Sequence, residues 1–213
     1  MKLLALILFS VAFFSQSLLM AQEDITGWKQ FINQDVTDLS IDPIETSNCV
    51  IHYRVWKGYQ LVDLCKENAG NFSGQVINYV SKKYKSWGKT KYKVISETIK
   101  ISPTKAEKLV RSLSSESIET LPDDSEVEGY PSGLDGIAYA FEIKTEAISR
   151  LYSYWEPLND NYIDGNIPEV IHIRNILNEL YDELELSESF TKFKEVLPKG
   201  TYSFGGIVMV KTS

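Results

Sequence analysis

The sequence predicts an α+β fold: an antiparallel sheet, built as a meander plus a central hairpin, with two main helices packed on one face. Three observations carry this expectation. Turn-forming residues crowd Gly129-Tyr130-Pro131-Ser132-Gly133-Leu134-Asp135-Gly136, and a clean two-residue alternation follows them. There Ile137, Tyr139, Phe141 and Ile143 share one side, with Ala138, Ala140 and Glu142 on the other. The polar stretch Lys144 to Ser149 then returns the chain into Arg150-Leu151-Tyr152-Ser153-Tyr154-Trp155, which completes a hairpin expected in the middle of the sheet.

The second observation is a series of strand-like segments, Cys49 to Trp56, Tyr59 to Lys66, Phe72 to Lys83 and Lys91 to Ile101. Only short gaps part them, which favours antiparallel neighbours. The third is helical periodicity. From Val170 to Leu184, a turn of 100° per residue gathers Val170, Ile173, Leu177, Leu180, Tyr181 and Leu184 on one stripe. A further helix is expected after Ser102-Pro103, where serine caps and proline opens the first turn ahead of Ala106, Leu109, Val110 and Leu113.

The remaining segments follow in order. Residues 1–21 read as a signal peptide: Lys2, an apolar run from Leu3 to Phe14 that falls short of the roughly 20 residues of a membrane span, then small and polar residues up to Ala21. Residues 22–48 read as an N-terminal short helix and linker, with Ile25, Trp28, Phe31 and Ile32 at helical spacing and Asp35 to Pro43 as connector. Residues 49–213 form a single α+β domain. Phe190 and Phe193 suggest a short third helix, and Thr201 to Val210 a closing strand broken by Gly205-Gly206.

The formal charge of −7 argues against broad attraction to nucleic acid or anionic membrane. Loss of Lys2 with the leader makes the chain more acidic still. Two cysteines, Cys49 and Cys65, in an exported chain point to a disulfide. A three-residue turn Trp56-Lys57-Gly58 sets them directly opposite, whereas a two-residue turn Lys57-Gly58 sets them on opposite faces; the first register is expected.

Catalytic inventories are thin. Both histidines have ordinary placements, His52 within a strand beside Arg54 and His172 on the solvated side of the long helix. No nucleophile elbow is present. Glu169 and His172 have the spacing of a carboxylate-bridged metal site but lack a second copy. Asp160 to Gly165 resembles a calcium loop but puts Tyr162 and Ile171 where oxygen ligands are required. No metal or other cofactor is expected. Paired acids remain as an enzymatic option, with Glu142 and Glu156 across the hairpin; the plainer expectation pairs Glu142 with Arg150 and gives Asp135 a turn.

The most distinctive stretch is Ser81-Lys82-Lys83-Tyr84-Lys85-Ser86-Trp87-Gly88-Lys89-Thr90-Lys91-Tyr92-Lys93, with six lysines and three aromatics in an acidic chain. It reads as a hairpin tip. Lysines with exposed rings suit a polyanion or glycan through charge and stacking, and also guard a strand edge against aggregation. Lys82, Lys83, Tyr84, Lys85, Trp87 and Lys89 are the candidate ligand-binding residues, and the absence of arginine disfavours base reading. Asn71-Phe72-Ser73 fits the N-glycosylation pattern.

The expectation is therefore a secreted or periplasmic, non-catalytic binding module for an unknown extracellular ligand. Neither sequence-specific nucleic acid nor, after leader cleavage, a membrane is an expected partner. A hydrolase with acidic residues or a protein inhibitor is the alternative.

Overall fold

In a computed structural model, residues 27–133 and 135–212 of the chain are described; the expected leader, 1–21, lies outside them. The strands form one eight-stranded antiparallel sheet. They are β1 (Cys49–Lys57), β2 (Gln60–Glu67), β3 (Phe72–Ser86), β4 (Lys89–Ile101), β5 (Ala138–Thr145), β6 (Ser149–Trp155), β7 (Gly200–Phe204) and β8 (Ile207–Lys211). Helix α1 spans 27–39, followed by α2 (Pro103–Ser115), α3 (Pro168–Leu184) and α4 (Leu186–Val196).

The order is β6-β5-β1-β2-β3-β7-β8, with β4 also paired to β3. The β5–β6 hairpin thus lies at the margin of the sheet, not in its middle, because β5 pairs with β1 and leaves β6 outermost. Two carboxylates seal that margin: Asp123 accepts from Ser153 N at 2.9 Å and Asp124 from Trp155 N at 2.8 Å. The closing segment also differs from expectation. Gly205 and Gly206, at φ 49° and 79°, turn the chain back on itself, so the interrupted strand is a hairpin, β7–β8.

Side-chain alternation divides the sheet. Tyr53 and Val55 of β1 face the same way as Leu64 and Val62 of β2 and as Ile143 and Phe141 of β5. This side packs against Leu109, Val110 and Leu113 of α2 and Ile173, Ile176, Leu177 and Leu180 of α3, making the main core. Tyr139 and Phe141 are buried within it, and each fully buried large apolar side chain is worth about 1.5–3 kcal/mol. Ile176 joins the buried stripe although the periodicity singled out its neighbours. The α2 start is as expected, with Ser102 Oγ accepting from Lys105 N and Pro103 in the first turn.

The opposite face is also covered. Trp56, Leu61, Ile77 and Ala140 pack against Ile32 and Val36 of α1. Asp35 to Leu39 therefore continues the helix where the sequence suggested a connector, because Val36 and Leu39 fall one and two turns beyond Ile32 on the side facing the sheet. A third cluster joins Phe190 and Phe193 of α4 to Val80 and Tyr202.

The Cys49–Cys65 disulfide is present, with Cα atoms 5.6 Å apart, but neither anticipated register produces it. The turn is Gly58-Tyr59, with Lys57 opposite Gln60 and His52 opposite Cys65. A bulge between Cys49 and Ile51 then shifts Cys49 opposite Glu67, onto the face that carries Cys65. Lys57 is held out of the turn by its side chain: Nζ donates to Tyr181 and lies 4.9, 5.7 and 5.0 Å from the ring centres of Tyr59, Tyr139 and Tyr181. Burial opposes its charge, but the hydrogen bonds to Tyr181 and Tyr59 outweigh that and raise its pKa.

Two outcomes follow. Alkylation of the intact protein should label no thiol, and two labelled cysteines would refute the bridge; replacing both with serine should cost about 3 kcal/mol for a loop of this length, read as a lower urea midpoint. Asp35 supplies the second. Burial pushes its carboxyl up to about 6, against a hydrogen bond from Tyr79 that lowers it, so the fold favours the protonated acid. Its contribution is fully present below the ordinary aspartate value of 3.8 and is lost as pH rises to about 6. Asp35→Asn should therefore gain stability relative to wild type as pH climbs through that window, and a pH-independent gap in urea midpoints would contradict it.

Candidate functional site

Strands β3 and β4 outrun their neighbours. β2 pairs with β3 only as far as Asn78, and β7 only at Ser81 to Lys83, while β3 and β4 stay paired to Ser86 and Lys89. The end is thus a two-stranded ribbon closed by Trp87-Gly88. Both turn residues have positive φ, 51° and 72°, the hand a two-residue hairpin requires. Glycine adopts it freely, but tryptophan does so at a steric cost of about 1–2 kcal/mol. Nothing is returned in packing, since Trp87 is 98% exposed.

Register then sorts the lysines. Lys82 lies opposite Lys93, Lys83 opposite Tyr92, Tyr84 opposite Lys91, and Ser86 opposite Lys89. Alternation places Lys82, Tyr84, Lys89, Lys91 and Lys93 on one side, and Lys83, Lys85 and Tyr92 on the other. The six candidates expected from sequence are therefore divided between two faces and the tip. Lys91 and Lys93, outside that set, stand beside Tyr84; pairing across the Trp87-Gly88 turn was the signal that finds them.

The electrostatics are one-sided. From Ser81 to Ser96 there is no acidic residue. Among the described residues none of the six lysines enters an ion pair. Lys82 Nζ rests over the Tyr202 ring at 5.5 Å. Like charges directly opposite, as at Lys82 and Lys93, destabilise a sheet by roughly 0.2–1 kcal/mol. An anion laid on the ribbon removes that repulsion.

A second polar cluster, unforeseen as such, is buried on the sheet face that α1 also covers. His52 Nε2 lies 2.5 Å from Asp63 Oδ1, and Gln75 Nε2 donates to Asp63 Oδ2 at 3.2 Å. Arg54 Nε lies 3.6 Å from the same carboxylate and Nη2 donates to the Asp42 carbonyl at 2.9 Å. Burial alone would raise Asp63, but His52, Arg54 and Gln75 outweigh it and hold the carboxyl below its ordinary value. The alternation His52/Arg54 and Asp63/Cys65 hints at a polar stripe, but only the β1–β2 register brings its two halves together.

Glu142 does not pair with Arg150. It lies opposite Leu151, so the two side chains occupy different faces. Its Oε2 accepts from Trp56 Nε1 at 2.6 Å, while Arg150 donates to the carbonyls of Glu119 and Leu121. Burial raises the Glu142 pKa against the lowering effects of Trp56 and Arg54. The carboxyl borders a cavity of about 210 Å³ between α1 and the sheet, with Glu45 and Lys29 on its wall. Glu156 is engaged elsewhere, accepting from Ile137 N and Asn159. Asp135 contributes its carbonyl to Trp155 Nε1.

Of the weaker motifs, Asp160 pairs with Arg174 at 2.8 Å and Asp164 accepts from Asn166 N at 2.9 Å, the bonding of a turn. His172 Nδ1 meets Glu116 at 2.8 Å. Among the described residues no group of three or more His, Cys, Asp or Glu is placed to hold a metal, and no helix is long and apolar enough to cross a membrane. Compared with protein-family models and with curated proteins, the chain matches none.

The turn yields a direct test. Trp87→Asn, which accepts positive φ more readily, should raise the unfolding free energy by roughly 1 kcal/mol. The readout is the urea midpoint, and a fall would show that the indole supports the fold.

Proposed function

We propose that the protein is a secreted or periplasmic, non-catalytic binding module whose β3–β4 ribbon takes a polyanionic or acidic-glycan ligand. One observation carries the reading: a fully exposed tryptophan in a conformation that costs stability, at the tip of a ribbon that has no acid and whose six lysines enter no ion pair among the described residues. Local features that cost stability without returning packing mark functional surfaces. Lysines attract spaced negative groups, and aromatic faces stack on ligand rings. An acidic body behind a basic ribbon orients the approach of an anion toward the tip. The apolar leader-like segment and the disulfide support an exported location. Neither a sequence-specific nucleic acid nor a membrane is assigned as partner.

A second reading, a hydrolase working through acids, is favoured by the desolvated Glu142 beside a cavity that also carries Glu45. Its carboxylate is already held by Trp56.

One experiment addresses both. The protein should be retained on a heparin column, and the variant carrying Lys82→Gln, Lys83→Gln, Lys85→Gln and Lys89→Gln should elute in the flow-through. Heparin recovered after incubation should keep its length. Unchanged retention of the variant would return the ribbon to a solvated edge, and shortened chains would replace binding by hydrolysis.

A further inference from the structure

The two sides of the ribbon are not equivalent, and their difference names a ligand class. On one side Tyr84 is 38% exposed and has lysines as its register neighbours. Lys91 is directly opposite it, Lys89 and Lys93 are its diagonal neighbours, and Lys82 precedes it by two on the same strand. Directly opposed Cβ atoms are about 4.5–5.5 Å apart and diagonal ones about 7–8 Å, which puts Lys89, Lys91 and Lys93 within reach of one ring, with Lys82 flanking it along the strand. On the other side Tyr92 has only Lys83 opposite and Lys85 on a diagonal.

We propose that Tyr84, bracketed by Lys89, Lys91, Lys93 and Lys82, is an acidic-sugar subsite: the ring stacks on one pyranose face while the lysines take the carboxylate or sulfate groups around it. This deepens the proposed function and rests on it.

The chemistry discriminates among anions. A tyrosine face is electron-rich and attracts the polarised C–H groups of a sugar face; a bare polyphosphate chain has no such face. Lysine is a compact charge without arginine's planar fork, so the row reads the spacing of negative groups and leaves the choice among anions to the ring. Along β4, Lys89, Lys91 and Lys93 recur every two residues, about 7 Å, giving a row of charge for an extended polymer. Lys82, seated over Tyr202, flanks this side at the sheet end. Nucleobases also stack on aromatic rings, so single-stranded DNA is the necessary comparison.

The test titrates the full-length exported protein with a heparin octasaccharide, with inorganic polyphosphate of matched charge, and with single-stranded DNA. Tyr84→Ala should weaken heparin binding about tenfold, the loss of one stacking contact, and leave polyphosphate binding unchanged. Tyr84→Phe, which keeps the ring, should bind as wild type. Tyr92→Ala should bind heparin as wild type, and single-stranded DNA should bind more weakly than heparin. Equal loss of heparin and polyphosphate in Tyr84→Ala, a loss in Tyr92→Ala instead, or tighter binding of DNA would each overturn the subsite. If wild type binds heparin and the four-lysine variant does not, yet Tyr84→Ala matches wild type, the subsite alone falls. If wild type binds none of the three probes, the subsite falls together with the proposed function.

Discussion

Burial of both faces of β1 is the constraint on which the structure depends. Its odd positions, Tyr53 and Val55, sit under α2 and α3, and its even positions, His52, Arg54 and Trp56, sit on the side covered by α1. A strand covered twice has no tolerance for slippage, because a shift of one residue exchanges the two faces. The partners are therefore specified as well. Asp63 must meet His52 and Arg54, and Glu142 must meet Trp56, since each polar group taken out of water needs a partner. The disulfide falls in the same scheme: without the bulge, Cys49 would emerge on the side away from Cys65.

Against this doubly covered body, the ribbon is built on opposite terms. Among the described residues it has neither helix nor third strand beyond Lys83, carries its charges in the open and ends in an unpacked indole. The body supplies the stability that lets the tip hold an unfavourable tryptophan conformation and mutually repelling lysines. The placement separates folding from binding, so substitutions at the tip leave the core contacts intact.

Much of the architecture was legible because burial writes itself as periodicity. Tyr139, Phe141 and Ile143 alternate, Val170 to Leu180 recur at helical spacing, and both patterns meet in one core. The failures have a common physical origin in contacts distant along the chain. Lys57-Gly58 looks like a turn until Tyr139 and Tyr181 draw Lys57 onto their rings, moving the reversal to Gly58-Tyr59. The polar run after Phe31 conceals Val36 and Leu39, which matter only because a sheet face lies beneath them. The basic ribbon was visible in composition, but its two sides appear only once strand pairing is known. The His52–Asp63–Arg54 cluster was illegible for the same reason: eleven residues separate its imidazole from its carboxylate.

The sealing of β6 by Asp123 and Asp124 bears on solution behaviour. Backbone donors at the rim of a sheet invite another chain to extend it. Here two carboxylates occupy the donors of Ser153 and Trp155, and an incoming strand meets negative charge where it needs carbonyls. Fibrillar growth is thereby opposed at this end of the border, and with it one route by which the concentrated protein would clump.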